Sequence, residues 1–382
     1  MRLIKNIKHF LALRIYVISY IFPIKKNLWV FGTWEGQLYS DNSKYLYEYV
    51  VKNHPEIEAV WITRNLDIVK TLKKRKFNCV KRQSWKGIWY SMRAEAAFVT
   101  CFAYADISPL INRNHTKVIE LWHGVGAKAM KPESLSKAGR DRYGSYYWIA
   151  TSEKYIDVLH EATGTPKSKF LITGYPRNDS FVNKIDNPMV FDILSHKWAD
   201  KYIIYMPTHR NFGKDSVSVE EFHYVNSVLK KNNIVMVYKP HFHELRNVLG
   251  FEDSFTNIII AKDSDIWADA YSYLHYFDLL ISDYSSISYD FLCAKKPIVQ
   301  YVYDIHRYKE VDFGLCNYFE SLPLGPFCFS WVETMDQVVK LLNEDTWIER
   351  REICRKTFHP FDDGKNSERV FNAVVQLLQI KK

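Results

Sequence analysis

Short apolar runs alternate with amphipathic stretches along the chain. In the first half, runs typical of strands buried on both faces lie at 28–32, 57–63, 78–81, 96–101 and 117–122. Between them, apolar residues recur at helical spacing in 41–50, 66–74 and 85–92. Strands that alternate with helices predict a parallel sheet that is covered by helices on both faces.

The same alternation restarts in the second half of the chain. Predicted strands lie at 146–150, 170–173, 202–206, 234–238, 258–261, 277–281 and 297–302. Predicted helices lie at 153–163, 219–231, 267–276, 287–293, 334–343 and 364–378. Because 382 residues are too many for one typical core, we predict an α/β protein with two doubly wound, Rossmann-like domains. Their boundary is expected near 175–200.

The first 27 residues differ from the rest of the chain. A basic start is followed by an aromatic and aliphatic run from Phe10 to Ile24, which Arg14 interrupts. The run is too short to span a bilayer comfortably, and no small-residue cleavage site follows it. We predict an amphipathic helix at the membrane interface, with Lys25, Lys26 and the preceding basic residues near lipid phosphates. A helix packed on the protein's own surface fits the pattern equally well.

The net charge of +9, from 52 basic and 43 acidic residues, favours an anionic partner. Nucleic acid is the weaker choice because the sequence has neither zinc-finger spacing nor a glycine-aromatic RNA-binding signature. A phosphorylated substrate or an anionic membrane surface remains. The six cysteines form no C-x-x-C pair, which is typical of reduced and mostly buried thiols.

One polar turn directly follows the predicted strand 277–281. It contains Asp283, Ser285 and Ser286 and precedes a helical pattern. The first N–H groups of a helix lack partners and favour anions, so two hydroxyls at that point suit a phosphate. An ordinary N-terminal cap is the alternative.

Other polar side chains also lie at predicted strand ends. His123 is flanked by Trp122 and Gly124, where a histidine can take a proton from a hydroxyl group. Lys239 and His241 suit a diphosphate. The alternatives are a histidine bonded to a loop carbonyl and a solvated loop. Further candidates are Arg210 in one turn, and Arg177 and Asp179 in another. Together they favour a phosphate-binding cleft.

No Walker loop, G-x-G-x-x-G or H-E-x-x-H motif is present. Asp41, Asp179, Asp283 and Asp304 are scattered and form no D-x-D pair. We therefore expect no metal ion and no other cofactor, with phosphate charge met by cationic side chains and helix ends.

These stretches together resemble the CDP-glycerol glycerophosphotransferases of teichoic acid synthesis. Several motifs in order are far more specific than any one of them. The resemblance covers residues 28 to 375 and rests on Gly36 with Asp41–Leu46, Leu121–Gly124, Thr173–Asp179, Met206–Arg210, Lys239–His241, Ser282–Ser286 with Tyr289–Phe291, Lys296–Pro297 with Tyr303–Asp304, and Asp362–Arg369.

The resemblance implies a GT-B fold, in which two Rossmann-like domains face a central cleft. Residues 28–180 would form the acceptor domain and 181–382 the CDP-donor domain, and it is left open whether the final helix crosses back. The implied reaction moves glycerol phosphate from CDP-glycerol to a polyprenyl-diphosphate-linked acceptor, with release of CMP, for teichoic acid or capsular polymer. It implies a peripheral protein on the cytoplasmic face of the cell membrane.

Each residue role is carried over from the matching motif. His123 is the implied base and His241 the implied cation at the donor diphosphate. The other residues implied to bind the donor phosphates are Ser285, Ser286, Lys239, Arg210 and Asp283. The resemblance assigns a further set to the acceptor side or to the structure of the cleft: Asp41, Asn42, Arg177 and Asp179.

Two departures bear on substrate identity. Val125-Gly-Ala-Lys128 stands where the family usually has Thr-Pro-Leu-Lys, and Phe242 stands where it usually has proline. Ribitol phosphate or another polyol phosphate is therefore an alternative. A GT-B glycosyltransferase that uses a nucleotide sugar is a second. A non-catalytic, membrane-bound protein that binds anionic polymer is the third.

Overall fold

A computed structural model describes residues 22–112, 115–129, 146–185, 187–210, 218–240, 254–261, 266–311 and 314–379. The predicted interface helix falls almost entirely on 1–21, which lie outside this range, so it stays a prediction. Within the described ranges, no helix combines the length and apolar character needed to cross a bilayer.

The contacts of the chain divide it into two compact units. The first contains the described residues up to His123, from Tyr146 to Arg177, and from Lys365 onward. The second contains those from Gly124 to Ala129 and from Asn178 to Gly364.

The first unit is built on a parallel sheet in the order β3-β2-β1-β4-β5-β6-β7. The strands are β1 (Lys25–Phe31), β2 (Glu58–Thr63), β3 (Cys79–Lys81), β4 (Ala94–Val99), β5 (Lys117–Glu120), β6 (Tyr147–Ala150) and β7 (Phe170–Ile172). Its helices are Asp41–Asn53, Leu66–Lys74, Trp85–Arg93, Ala103–Asp106, Glu153–Thr163 and Asn366–Gln379. Side chains of Asn65, Ser84 and Ser152 cap three of these helices.

Strand β1 begins at Lys25, three residues before the predicted start. Lys25 pairs with Ala94 of β4, and its ammonium group forms an ion pair with Glu58 of β2. Charged side chains are tolerated there because this end of the strand is exposed. Lys25 and Lys26 therefore belong to the sheet rather than to the predicted N-terminal segment.

The second unit contains a six-stranded parallel sheet in the order β10-β9-β8-β11-β12-β13. The strands are β8 (Lys201–Met206), β9 (Ile234–Tyr238), β10 (Ile258–Ile260), β11 (Leu279–Ser282), β12 (Ile298–Tyr301) and β13 (Phe327–Cys328). Its helices are Asp179–Asn183, Pro188–Ser195, Val219–Lys231, Ile287–Phe291, Ile305–Val311, Tyr318–Ser321, Trp331–Asn343 and Ile348–Phe358. Two of them pack on one face of the sheet around Phe222, Val225 and Met335.

The helix predicted at 267–276 is wrong. Two short 3-10 turns, Ala270–Ser272 and Leu274–Tyr276, stand in its place. Tyr273 between them has φ −140°, which is not helical, and its hydroxyl group donates to the carbonyl of Trp267. Tertiary anchoring of the tyrosines therefore overrides the local helical spacing.

Both sheets confirm the predicted doubly wound architecture. In each sheet the first strand lies in the middle, and the chain fills one side before it returns to the other. The order therefore switches between β1 and β4 and between β8 and β11. Because ligands of such sheets bind beyond the carboxyl ends of the strands at the switch point, the loops after these four strands are where a site is expected.

Candidate active site

His123 lies just beyond β5, next to the switch point of the first sheet. Its side chain is half-buried, and Nδ1 lies 3.1 Å from the carbonyl oxygen of Thr100, which follows β4. A carbonyl can only accept, so Nδ1 is the protonated nitrogen of the neutral ring and Nε2 holds the lone pair. The histidine is thus bonded to a loop carbonyl, in the tautomer that a base requires.

Three of the residues predicted for the acceptor side hold the turn that leads to His123. The Asn42 amide donates to the carbonyls of Leu121 and Trp122 at 2.9 and 3.0 Å. The Arg177 backbone N–H donates to Asn42, and its guanidinium lies 2.6 Å from a carboxylate oxygen of Asp41. All three side chains are buried, so their contacts fit the structural alternative rather than direct contact with an acceptor.

Glu120 is a site residue that sequence reasoning missed. Its side chain is fully buried, and Oε1 accepts from the backbone N–H of Trp122 at 3.0 Å. Trp122 adopts φ +52°, a left-handed conformation that is unusual for a bulky residue. Burial raises the pKa of Glu120 well above its usual range, and the charge of Asp106 adds to this effect. Because Glu120 ends an apolar strand pattern, the sequence showed only a strand there.

Replacing Glu120 with glutamine should change the pH dependence of stability. A carboxyl group with a raised folded pKa contributes stability that is complete below the unfolded pKa, 4.5, and is lost as pH rises towards the folded value. The variant cannot ionise at this position and does not lose this stability. Above pH 4.5, its free energy of unfolding relative to that of the natural protein should therefore increase by up to about 1.4 kcal/mol per pH unit.

Urea unfolding of both proteins across this pH range measures the difference. Glu349→Gln, at an exposed position, is the control and should show no such trend. A difference for Glu120→Gln that stays constant with pH would contradict a buried, protonated Glu120.

The second unit presents Ser285 and Ser286 between β11 and the helix Ile287–Phe291. Both side chains are partly exposed, and the Ser286 hydroxyl makes no capping bond. Ser285 Oγ lies 3.5 Å from the backbone nitrogen of Ile287, at the limit of a hydrogen bond. Within the described ranges, ordinary capping therefore uses these hydroxyl groups little.

Asp283 and Arg210 form a buried network at the switch point of the second sheet. The carboxylate of Asp283 accepts from the backbone N–H of Thr208, which joins the loops after β8 and β11. Arg210 lies 2.8 Å from Asp283 and 2.6 Å from Asp304. Burial would lower the pKa of Arg210, but the two carboxylates raise it above its usual value.

These contacts revise the expectation that Arg210 and Asp283 touch the donor phosphates. Arg210 is 3% exposed, and the third nitrogen of its guanidinium group donates to the carbonyl of Thr208. With its cationic charge committed to two carboxylates, Arg210 supports the turn that carries Ser285 rather than presenting itself to a ligand. The sequence could not show this pairing, because the partners are 73 and 94 residues apart.

The other predicted residues lie as follows. Lys239 directly follows β9, and its backbone N–H donates to the carbonyl of Tyr205. Asp179 begins the helix Asp179–Asn183 in the second unit and is buried. His241 lies outside the described residues, so its role stays a prediction.

A buried carboxylate anchors the short helix that follows the serines. Asp290 accepts from the Asn178 amide at 3.1 Å and from the Tyr271 hydroxyl group at 2.6 Å. These bonds fix one end of the helix while its beginning carries Ser286. Among the described residues, no group of three or more His, Cys, Asp or Glu side chains could hold a metal ion.

Sequence comparison assigns the family. The family model of CDP-Glycerol:Poly(glycerophosphate) glycerophosphotransferase matches residues 14–376. The chain belongs to this family. The match covers both units and includes every residue predicted for the site.

This glycerophosphotransferase family member is similar to two curated relatives. It is 25% identical over 390 residues to the teichoic acid poly(glycerol phosphate) polymerase of Bacillus subtilis (strain 168), covering 94% of this chain and 50% of that protein. It is 24% identical over 383 residues to the teichoic acid glycerol-phosphate transferase of Staphylococcus aureus (strain NCTC 8325 / PS 47), covering 91% of this chain and 93% of that protein. The chain thus spans about half the length of the polymerase and nearly all of the transferase.

The same fold occurs in the wall teichoic acid polymerase TagF. Its structure superposes with a TM-score of 0.79 at 20% sequence identity, covering 100% of this chain and 97% of that one. The glycerophosphotransferase family member therefore has the α/β, GT-B-like fold.

Proposed function

We propose that this protein transfers glycerol phosphate from CDP-glycerol to a hydroxyl group of a lipid-linked acceptor in teichoic acid or capsular polymer synthesis. The observation that carries the proposal is the turn with Ser285 and Ser286. Its hydroxyl groups take little part in capping, and Asp283 fixes the turn to the neighbouring loop. Such a turn at a switch point suits the phosphates of a nucleotide-linked donor.

In the proposed reaction, the acceptor oxygen forms a bond to the β-phosphorus of CDP-glycerol. The bond from that phosphorus to the bridging oxygen breaks, and CMP leaves with the electron pair. His123 takes the hydroxyl proton on Nε2, because Nδ1 is held by the carbonyl of Thr100. Proton removal contributes only about 10²–10⁴-fold, so positioning and neutralisation of phosphate charge supply the rest.

The donor side of the proposal uses cations and hydroxyl groups rather than a metal. Ser285 and Ser286 bind phosphate oxygens, and Lys239 and His241 supply positive charge. The acceptor carries a polyprenyl diphosphate, which places the protein at the cytoplasmic face of the membrane. The net charge of +9 supports this location because that surface is anionic.

A donor screen tests the function. The full chain is incubated with a lipid-linked disaccharide analogue and with CDP-glycerol, CDP-ribitol or a nucleotide sugar, each with and without EDTA. We expect CMP release and acceptor extension with CDP-glycerol, unchanged by EDTA. Turnover only with CDP-ribitol would change the polyol, and turnover only with a nucleotide sugar would make the protein a glycosyltransferase. No turnover with any donor would favour a non-catalytic polymer-binding protein.

A further inference from the structure

Trp34 is an exposed aromatic residue that is held beside His123. Trp34 lies in the loop after β1, and the residue is 39% exposed. The indole Nε1 donates to a carboxylate oxygen of Asp41 at 3.2 Å, and the ring centroid lies 5.7 Å from that of His123. The polar edge of the indole is therefore bonded to the protein, while part of the residue stays open to solvent.

The backbone at this point is strained. Trp34 and Glu35 have φ values of +45° and +56°, which only glycine adopts without cost. The surrounding structure holds both: Thr100 Oγ1 lies 3.4 Å from the Trp34 nitrogen, and Asp106 accepts from the Glu35 N–H at 2.8 Å. Two adjacent left-handed residues held in this way point to a functional constraint on the ring.

The chemistry of the loop selects the class of ligand. The face of an indole carries negative potential, so a phosphate is disfavoured there. Glu35 and Leu38, both exposed, add a carboxylate and an apolar side chain to the same loop. An apolar face with a nearby acceptor for hydroxyl protons suits a sugar ring, which has a C–H face and hydroxyl groups around its edge.

We propose that Trp34 is the stacking platform for the terminal sugar ring of the acceptor and presents a hydroxyl group of that ring to His123. This inference rests on the proposed function, in which His123 is the base. It makes the preferred acceptor one that ends in a sugar, because a glycerol phosphate end has no ring to stack.

Steady-state kinetics with two acceptors test the platform. One acceptor is a lipid-linked disaccharide analogue, and the other carries a glycerol phosphate on the same lipid without a sugar. Trp34→Ala should raise KM for the disaccharide about tenfold, and Trp34→Phe should recover most of the loss because a flat ring remains. Trp198→Ala, at a more exposed tryptophan, is the matched control and should leave both KM values unchanged.

Calorimetric titration with CDP-glycerol tests whether the donor, rather than the acceptor sugar, stacks on the Trp34 ring. Trp34→Ala should bind CDP-glycerol as the natural protein does. A weaker CDP-glycerol affinity would show that Trp34 stacks on the donor base, and an equal KM increase for both acceptors would show a contact with lipid. Either result, or an unchanged disaccharide KM, overturns the proposal. Melting curves identify any variant that fails to fold. In that case Trp34→Phe, which keeps a flat ring, and Trp34→Leu, which is apolar but has no ring, decide the question: only Trp34→Phe should bind the disaccharide well.

Failure of the proposed function would look different. If the natural protein extends neither acceptor with any donor, the proposed role of His123 as a base is excluded. Binding of the sugar to Trp34 can still be measured. Saturation-transfer NMR with the soluble disaccharide should then show contacts in the natural protein that Trp34→Ala loses. Equal signals from both proteins would overturn the platform itself.

Discussion

His123→Ala should lower kcat by about 10²–10⁴-fold, the usual contribution of a positioned general base. The imidazole is oriented by the Thr100 carbonyl at Nδ1, so its removal deletes the proposed proton acceptor and leaves the proposed donor-binding turn in place. CDP-glycerol affinity and the melting temperature should stay close to those of the natural protein. Single-turnover CMP release, calorimetric titration and melting curves provide the three measurements.

Ser286→Ala is the matched comparison for the histidine variant. It removes a hydroxyl group from the proposed phosphate site, where a hydrogen bond to a charged group is worth about 1.5–3 kcal/mol. Donor affinity should fall, whereas the acceptor KM should not change. A folded His123→Ala protein with near-natural turnover would exclude this residue as the base.

Arg210→Met should lower the free energy of unfolding by about 3–5 kcal/mol, because it leaves buried carboxylates without their cation. Asp283 and Asp304 both lie within 3 Å of the guanidinium, with side chains 2% and 7% exposed. The Tyr284 hydroxyl group also donates to Asp304, so the loss should spread to the turn before the serines. Urea unfolding measures the change.

Two further variants separate the buried network from a general effect of losing a cation. Arg350→Met, at an exposed position, should change the free energy of unfolding by less than about 1 kcal/mol. Adding Asp283→Asn and Asp304→Asn to Arg210→Met removes the stranded charges and should recover part of the loss. If Arg210→Met unfolds like the natural protein, the guanidinium is not the partner that these carboxylates require.

Elements with strong local signals were predicted from the sequence almost to the residue. The helix Val219–Lys231 begins at a capping box formed by Ser218 and Glu221, and β9 follows as a continuous apolar run. The helix Ile348–Phe358 was missed because its residues are mostly charged and its apolar face is short. The helix Pro188–Ser195 was likewise absent from the prediction, although Pro188 at its start is a recognised signal.

The candidate site also contains features that the sequence predicts and features that it does not. Turns after strands are visible in the sequence, so His123 and the Ser285–Ser286 pair could be located before the structure. Three-dimensional partners are not visible: the pairing of Arg210 with Asp304 and the position of Glu120 behind Trp122 depend on tertiary contacts. The left-handed backbone at Trp34 was also hidden, because the sequence signal for that conformation is glycine.

The division of the chain into two units also limits how this protein could be cut or exchanged as modules. Residues 124–129 belong to the second unit. A long stretch of the first unit, which ends at Arg177, separates them in the chain from the rest of the second unit. There the carbonyl of Ala127 accepts from Cys316, and the Ala129 N–H donates to Gly314. If the gene were divided once, near codon 178, the backbone groups of Ala127 and Ala129 would lie on a different fragment from their hydrogen-bond partners. Neither fragment would then contain a whole unit. Recombination between relatives is therefore expected to preserve the two units together, as a single inherited cassette.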